Sequence, residues 1–537
     1  MTDRRINLQL AVLTGILLGA AFPPIPTGVT AFVGFIPFLL LLRRVDSAAQ
    51  TFRFSYLTFL VLNVVTVYWI SGWWGRDPWL KAAGVAVNLV HPLLFTIPAL
   101  MLYLVRKRLG WNLMLVVFPF LWAAWEWLAH LPELSFPWLI IGNTQSYDIE
   151  KIQFIAWTGI FGASWWIAAV NSILVVLAER VSSGAWGLRS RQSLLTVSAA
   201  LLLLFVPHVW GALAMRDGSD AHMLRVGIAQ PDIDPYEKWS AASVPMDKVR
   251  DLMNLYDTVV DSGNVDLVLF PETAFPFLIR QPSHRDELLE VQRRIDLKGV
   301  PLLSGFADLT WYEPDSAPSS AKRIPESDIR YDTFNAAMLL LPMKTEQQVY
   351  HKSRLTPLSE RIPYLDALPF LQNALSWGVG ISSWGLGNDT TVFTLDTQRK
   401  SVRIWAMICY ETLYPEFITG FTDRGANLLA VITNDGWFGN SSGPYQLQRY
   451  AVLRAIENRR AIARCANNGI SCFIDPWGRV SGETIFGTRT WTAAAVPLHA
   501  EASFYVRHGD WFSHLCAAFT LIALLASLLS GRRRSAS

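Results

Sequence analysis

From residue 193 to residue 214 the chain reads SLLTVSAALLLLFVPHVWGALA, and from Met223 to Gln230 it reads MLRVGIAQ. The first stretch has the length and apolarity of a helix that crosses a bilayer, which needs about 20 such residues. The second is a short β-rich run of the kind that forms a strand. The architecture turns on this change. Before it lie apolar runs at about 8–24, 29–42, 55–73, 82–105, 112–129, 155–178 and 193–214; after it come a mixed block to about 510 and a last apolar run at 511–530. Composition agrees: of 537 residues 52% are apolar or aromatic and 17% charged, with a mean hydropathy of +0.27. Soluble chains usually carry about 25% charged residues, so a wholly cytosolic enzyme is excluded. A balance of 46 basic against 43 acidic residues leaves +3, too little for a nucleic-acid-binding surface. Four cysteines exclude a disulfide framework.

Eight crossings predict a charge pattern. Arg4 and Arg5 precede the first run, and Arg43, Arg44 and Arg53 lie between the second and third. Arg106, Lys107 and Arg108 follow the fourth, Arg180, Arg189 and Arg191 separate the sixth from the seventh, and Arg532, Arg533 and Arg534 close the chain. With eight helices every cluster falls on one side, which the positive-inside rule makes the cytoplasm. The sequence therefore predicts a transmembrane domain over 1–215, an extracytoplasmic block over 216–510, and an eighth helix with a basic tail over 511–537, both termini being cytoplasmic. The second run is short and carries Pro37. The first, with Gly19-Ala20-Ala21 at its end, has the form of a secretory leader, but six further apolar runs precede the soluble block, so it reads as a retained helix.

Of 23 tryptophans, Trp69, Trp73, Trp74 and Trp79 cluster at the expected end of the third helix, and Trp122 and Trp127 toward the outer end of the fifth. These are expected in an interfacial aromatic belt. Glu126 is costly in such a helix; it either pairs with a basic residue or meets a lipid headgroup.

In the outward block Leu224–Ala229, Val265–Phe270, Val300–Phe306, Ala336–Leu341, Val402–Ile408, Leu428–Thr433 and Ser471–Asp475 read as strands, and Asp286–Lys298 and Pro444–Cys465 as helices. Such alternation predicts a layered α/β domain. The stretches 309–330 and 372–390 read as loops. Three strand ends carry reactive groups. Glu272 follows an apolar strand, where a raised pKa suits a general base. Lys352 follows Tyr350-His351. Cys409 follows Ile404–Ile408, at an elbow that can present a nucleophilic sulfur beside backbone N–H groups. Each has a plainer reading as a core cysteine or a solvated side chain, and no histidine is placed as the base of a Cys/His pair, although His351 adjoins Lys352.

Pro-Glu-Thr-Ala around Glu272, Tyr-His-Lys-x-x-Leu-x-Pro around Lys352 and Ile-Cys-Tyr-Glu around Cys409 resemble the three signatures of the nitrilase superfamily. Thr433-Asn-Asp-Gly-Trp437-Phe-Gly439 and the run from Arg454 through Glu457 and Arg460 to Ser471 add two more blocks. Set before the last of eight helices, such a domain resembles the apolipoprotein N-acyltransferase family. The likeness extends along the chain through Ala21-Phe-Pro-Pro24, Phe136-Pro-Trp-Leu-Ile-Ile-Gly142, Gln230-Pro231, Lys238-Trp239 and Arg507-His-Gly-Asp-Trp511. Three positions depart from the family pattern. Leu355-Thr-Pro-Leu-Ser-Glu360 lacks the usual glycine before the glutamate, Gln446-Leu447 replaces a Gln-His pair, and Glu126-Trp-Leu-Ala129 lacks an arginine that offers one headgroup cation.

The resemblance implies an αββα catalytic domain on a membrane anchor, with transfer of an acyl chain from a phospholipid to the α-amine of a diacylglyceryl-cysteine lipoprotein through a Cys409 thioester. It makes Glu272 the base, Lys352 the oxyanion partner and Glu360 an orienting carboxylate, while Tyr410, Glu411, Trp437 and Trp239 shape the pocket or its lid. The apolar, glycine-hinged loop 372–390 reads as a lid or as a buried surface loop. Cys465 and Cys472 flank a turn in an oxidising compartment, which permits a disulfide, but with the first on a helix and the second on a returning strand they read as unpaired; Cys516 reads as a packing residue of the last helix. No cofactor, metal or nucleotide is expected; the bilayer, a phospholipid donor and an apolipoprotein acceptor are, with the chain a monomer in the bacterial inner membrane. The rivals are a membrane-tethered amidase or nitrilase-type hydrolase, a non-catalytic scaffold for a glycolipid synthase, and a transporter. Seven helices before the domain, an intact triad and few intramembrane charges argue against them in turn.

Overall fold

A computed structural model of the chain describes residues 2–72, 78–215, 222–239, 244–313, 315–319, 321–324, 326–368, 384–396, 401–499 and 501–535. It divides into a helical unit (1–73, 82–217 and 503–537) and an α/β unit (74–81 and 218–502).

The helical unit contains α1 (Thr2–Gly19), α2 (Ala31–Gly34), α3 (Ile36–Arg44), α4 (Ala48–Val67), α5 (Pro78–Leu109), α6 (Trp111–Ala129), α7 (Ile160–Ser182), α8 (Arg191–Ala214) and a final helix, Trp511–Ser535. Among the described residues, six helices are long and apolar enough to cross a membrane: those starting at Ala48, Lys81, Trp111, Ile160, Arg191 and Trp511. The second apolar run is two short helices that break at Phe35. Pro37, in the first turn of α3, has no N–H with which to continue α2. Asn171 of α7 fills the break: its side chain accepts from Phe35 N at 2.9 Å and donates to Ala31 O at 2.9 Å. In an apolar layer such freed backbone groups need a protein partner.

The aromatic belt expected at Trp122 is absent. Trp122 is fully buried at the centre of a cluster with Phe35, Phe59 and Phe95, at ring distances of 4.7, 5.6 and 5.8 Å. Trp69 is buried against Trp138 as well. Trp73, Trp74 and the side chain of Trp79 lie outside the described residues. Glu126 is 4% exposed and, among the described residues, pairs with no basic residue. Its Oε1 accepts from Trp122 Nε1 and from Ile141 N, both at 2.9 Å, and so tethers the 3-10 turn Ile141–Gln145 to α6.

The basic ends gather at one end of this unit. Arg44, closing α3, bonds Asp3 and Asn7 at the start of α1. Arg106, near the end of α5, donates to the carbonyls of Arg43 and Val45. Glu179, near the end of α7, pairs with Arg43 and accepts from Trp111 Nε1 at the start of α6. The final helix runs antiparallel to α6, since Trp127 meets His514 (4.9 Å) and Phe120 meets Phe519 (4.3 Å).

The α/β unit is two stacked sheets. The first has the order β13 (Thr490–Leu498), β1 (His222–Gln230), β2 (Leu267–Leu269), β3 (Leu302–Tyr312), β5 (Arg330–Leu340), β4 (Lys322–Arg323), with β6 (Gln348–His351) also on β5. The second runs β12 (Val480–Ser481), β11 (Cys472–Ile474), β10 (Ala461–Ala466), β9 (Leu428–Thr433), β8 (Ser401–Ile408), β7 (Phe393–Asp396). In each sheet three central strands are parallel and buried, hence their near-continuous apolar sequences. Helices α9 (Pro245–Gly263) and α10 (Arg285–Lys298) cover the first sheet through Val249, Leu252, Tyr256, Val291 and Ile295. Helices α11 (Pro415–Asp423) and α12 (Ser442–Asn458) belong with the second, Phe421 stacking on Trp405 at 3.9 Å. The αββα layering expected from sequence is present.

One expected helix is wrong in extent. The run Pro444–Cys465 is helical only to Asn458; Arg459 turns left-handed (φ 51°) and Ala461–Ala466 becomes β10, parallel to β9. A strand buried on both faces has no period to separate it from a preceding helix. Cys465 and Cys472 therefore both lie on strands. Arg464 is the register partner of Cys472, so Cys465 points to the opposite face, toward the carbonyls of Ala229 and Leu269, and all four cysteines are free.

Glu126→Ala strands two buried donors, at about 1–3 kcal/mol each, and is expected to lower the thermal midpoint of the detergent-solubilised chain by several degrees. Glu126→Gln keeps an acceptor oxygen and should lose much less. Differential scanning fluorimetry of both variants checks this.

Candidate active site

Three strand ends converge. After β2 the chain passes Phe270 and Pro271 and sets Glu272 in a turn that Thr273 closes at φ 45°. Gly305 of β3 lies against this turn. A Cβ there would stand 2.5 Å from Thr273 N, 2.6 Å from Pro271 O and 2.7 Å from Glu272 Cα, so only glycine permits the approach. Lys352 directly follows β6, its main-chain N donating to Asn335 O at 2.9 Å. Cys409 directly follows β8 in the left-handed region (φ 50°), opening the 3-10 turn Cys409–Leu413. A non-glycine residue held there costs about 1–2 kcal/mol, a strain that clusters at functional elbows.

The side chains meet in a buried cluster. Lys352 Nζ, 1% exposed, lies 3.2 Å from Glu272 Oε1 and 2.9 Å from Glu360. Asn335 Nδ2 bridges the same two carboxylates at 2.7 and 2.9 Å, and Thr356 N donates to the other oxygen of Glu360 at 2.7 Å. Burial works against the charge on Lys352, but Glu272 and Glu360 outweigh it and hold its pKa above the ordinary lysine value. Burial likewise opposes the charge on Glu360, and Lys352 with the backbone of Thr356 overcomes it, so Glu360 stays ionised. At Cys409 burial, and then the Glu272 carboxylate, push the thiol pKa well up against the pull of Lys352 and a hydrogen bond with Thr433. The resting cluster is one ammonium, ionised Glu360 and a protonated thiol within electrostatic reach of both carboxylates.

The turn before Glu360, which lacks the family's glycine, keeps its shape. Leu358 takes the left-handed conformation (φ 65°) and its N donates to Arg361 O at 2.8 Å, while Glu360 N donates to Thr356 O at 2.9 Å.

The supporting residues take different places from one another. Glu411 is fully buried and accepts from Tyr350 OH, Ser353 N and Arg354 N on one oxygen and from Ile408 N on the other. It ties the segment after Lys352 to the strand before Cys409 rather than lining a pocket. Tyr410 is buried beside Tyr414 (5.7 Å). Trp239 packs with Trp384, Leu355 and Leu278, and Trp384 N donates to Glu360 O, so this wall adjoins the Glu360 turn. Trp437 meets Tyr236 at 5.3 Å. Both ring nitrogens of His351 are taken, by Asp389 (2.6 Å) and Asp308 (3.0 Å), and Arg280 also pairs with Asp308. His351 thus anchors the segment 384–390, whose Gly387 N donates to Lys352 O and whose Gly385 N donates to Thr333 O. The remainder of the loop read as a lid, 372–383, lies outside the described residues.

Sequence reasoning missed Asn335 and Gly305, and took Lys238 only as part of the Lys238-Trp239 likeness. Asn335 carried a signal, as one carboxamide in the apolar strand Phe334-Asn-Ala-Ala-Met-Leu-Leu340. Gly305, within Leu302–Ala307, is the other break in an apolar strand, which marks close backbone approach. Among the described residues no group of three or more His, Cys, Asp or Glu could hold a metal ion.

The comparisons with known proteins cover both units. A family model described as the apolipoprotein N-acyltransferase N-terminal domain matches residues 14–173, and the carbon-nitrogen hydrolase model matches 225–504. The apolipoprotein N-acyltransferase of Chlorobaculum tepidum is 34% identical over 97% of this chain and 96% of its own. That of Geobacter metallireducens is 32% identical over 99% and 96%. Among solved structures, an amidase from Nesterenkonia sp. AN1 aligns at 16% identity and a TM-score of 0.37, covering 56% of this chain and 99% of its own.

Gly305→Ala should displace the Glu272 turn. As a shift of about 1 Å between interacting groups can change reactivity on the order of 100-fold, Cys409 should be alkylated by iodoacetamide at least tenfold more slowly than in the parent, as timed by quenched-flow mass spectrometry. The histidine anchor gives a pH prediction. Burial opposes the charge on His351, but the bonds and charges of Asp308 and Asp389 prevail and push its pKa up to about 9 from 6.5. A raised folded-state pKa contributes stability that is full below about 6.5 and is lost as pH rises through about 9. The thermal midpoint should therefore fall between pH 7 and pH 10 more steeply in the parent than in His351→Gln; parallel curves would contradict this.

Proposed function

The chain belongs to the apolipoprotein N-acyltransferase family and is a membrane acyltransferase; from that premise we propose that Glu272, Lys352 and Cys409 carry the reaction through a thioester. The donor is a phospholipid and the acceptor the α-amine of a diacylglyceryl-cysteine apolipoprotein. The observation that carries the assignment is one buried lysine shared by two carboxylates, beside a cysteine held in a left-handed elbow. Glu272 takes the Cys409 proton as the sulfur attacks the ester carbonyl. Lys352, with the backbone N–H of Tyr410, balances the oxyanion. The proton passes from Glu272 to the departing glycerol oxygen, the lysophospholipid leaves and a thioester remains. The lipoprotein amine then attacks the thioester carbonyl, Glu272 accepts its proton, the C–S bond breaks, and Cys409 recovers its thiol as the amide forms. Glu360 keeps Lys352 charged and placed. Glu411 and Tyr410 hold the elbow, and Trp239 and Trp437 border the space around it.

The membrane topology supports this reading. Taking α2 and α3 as one interrupted crossing, α1, α4, α6 and α8 start at the basic end of the helical unit, α3, α5 and α7 end there, and the final helix opposes α6. This alternation supports eight crossings, with both termini cytoplasmic and the α/β unit periplasmic in the bacterial inner membrane. The donor and acceptor are both lipid-anchored, so the enzyme meets them in the outer leaflet of that membrane as a monomer.

Intact mass spectrometry of the detergent-purified chain mixed with one defined phospholipid tests the assignment. One acyl chain should be added, removable by hydroxylamine, absent in Cys409→Ala, and discharged by a diacylglyceryl-cysteine peptide. In Lys352→Met the adduct should form at least about 100-fold more slowly. An adduct that only water removes would replace the transferase by a lipid hydrolase.

A further inference from the structure

Lys238 closes the single turn Pro235–Lys238 and is 2% exposed. Its Nζ donates to the main-chain carbonyl of Glu272 at 2.7 Å. Among the described residues no other group donates to that carbonyl and no carboxylate pairs with this ammonium. Its own carbonyl is held by Lys248 Nζ of α9 at 2.8 Å. A buried amine without an acid partner is costly, and an apolar side chain of the same length would fill the space with less penalty. Burial pushes its pKa down to about 7, with Glu272 pulling upward and Lys248 downward.

Its position explains its presence. Glu272 lies past the end of β2, in the turn that the left-handed Thr273 closes, so its carbonyl has no strand ladder to join and needs a donor. Gly305 supports the turn through its backbone contacts, and Lys238 grips it through the carbonyl. The carboxylate of Glu272 is one side chain's length away, facing Lys352 just after β6, Asn335 on β5, Glu360 and Cys409.

We propose that Lys238 is a positioning residue for the general base: its bond to the Glu272 carbonyl sets where the carboxylate stands, and its charge favours the ionised form that takes the Cys409 proton. Lys238 does not touch the reacting atoms. The proposal rests on the reading of Glu272 as base, but not on the identity of the acyl donor.

The test follows the pH profile of Cys409 in the full-length chain by two readouts: thioester formation from a phospholipid, and alkylation by iodoacetamide, which needs no lipid. Loss of a cation beside a carboxylate raises the carboxylate's pKa. Lys238→Met should therefore shift the acidic limb of both profiles upward by about half a pH unit or more and slow thioester formation at neutral pH about tenfold. Lys238→Arg, which keeps charge and donor, should restore the limb. Equal profiles in the parent and Lys238→Met overturn the proposal. So does a loss that is the same factor at every pH and tracks the folded fraction, which is what a packing role alone would give. If Lys238→Met does not fold, a shifted limb in Lys238→Arg overturns it, and a limb within about 0.2 pH unit of the parent supports it. Failure of lipid to acylate the parent, with the alkylation limb still shifted, would sink the acyltransfer reading and leave this one standing.

Discussion

The ammonium of Lys352 sits in the protein interior between two carboxylates, and the α/β unit is arranged around that pairing. Removing one partner of a buried ion pair costs about 3–5 kcal/mol because a charge is left uncompensated. The segments bearing Glu272, Lys352 and Glu360 must therefore reach one point. Each of the flanking turns contains a non-glycine residue in the left-handed region: Thr273, Leu358 and, at the neighbouring elbow, Cys409. Each costs about 1–2 kcal/mol, and the cluster supplies enough to hold them. It also explains why the Glu360 turn survives without glycine. Thr356 N and the Lys352 ammonium fix the carboxylate at both ends, so Leu358 is carried into a conformation it would not choose alone.

The helical unit solves a related problem in an apolar setting. Where its helices break, a side chain from elsewhere takes the freed backbone group: Asn171 at the Phe35 break and Glu126 at Ile141 N. Both polar groups are deeply buried. That marks them as structural partners, although an intramembrane carboxylate by itself reads as functional. Trp122 links the two solutions, since its ring is the hub of the aromatic cluster and its Nε1 helps to hold Glu126.

Much of this was legible in the sequence because the signals were local. The change at Met223, the apolar strands and the positions of Glu272, Lys352 and Cys409 each followed from a few consecutive residues. What escaped was set by partners far along the chain. Trp122 resembled an interfacial tryptophan until its neighbours at Phe35, Phe59 and Phe95 were known. Pro444–Cys465 resembled one helix because a strand buried on both faces is as apolar as a helix core. Asn335 reaches Glu272 across 63 residues of sequence and Glu360 across 25, so no motif joins them. Glu411 sat inside a motif, yet its four backbone and phenol donors come from β6, the segment after it and β8, which sequence order does not bring together.

The second carboxylate has a chemical consequence. Glu360 shares the ammonium with Glu272 and also takes one of the Asn335 donors, so neither carboxylate holds Lys352 alone. Burial first, and then the Glu272 carboxylate, keep the Cys409 thiol protonated at rest against the pull of Lys352. In the attack step of the proposed reaction the proton moves from sulfur to Glu272, and the net charge of the cluster is unchanged. What changes is its location, from the carboxylate toward the sulfur and then the carbonyl oxygen, where Lys352 and a backbone N–H stand. Moving a charge toward fixed donors in a water-poor site is less costly than creating one there. The lysine serves that purpose only while it remains charged, which Glu272 and then Glu360 secure against burial.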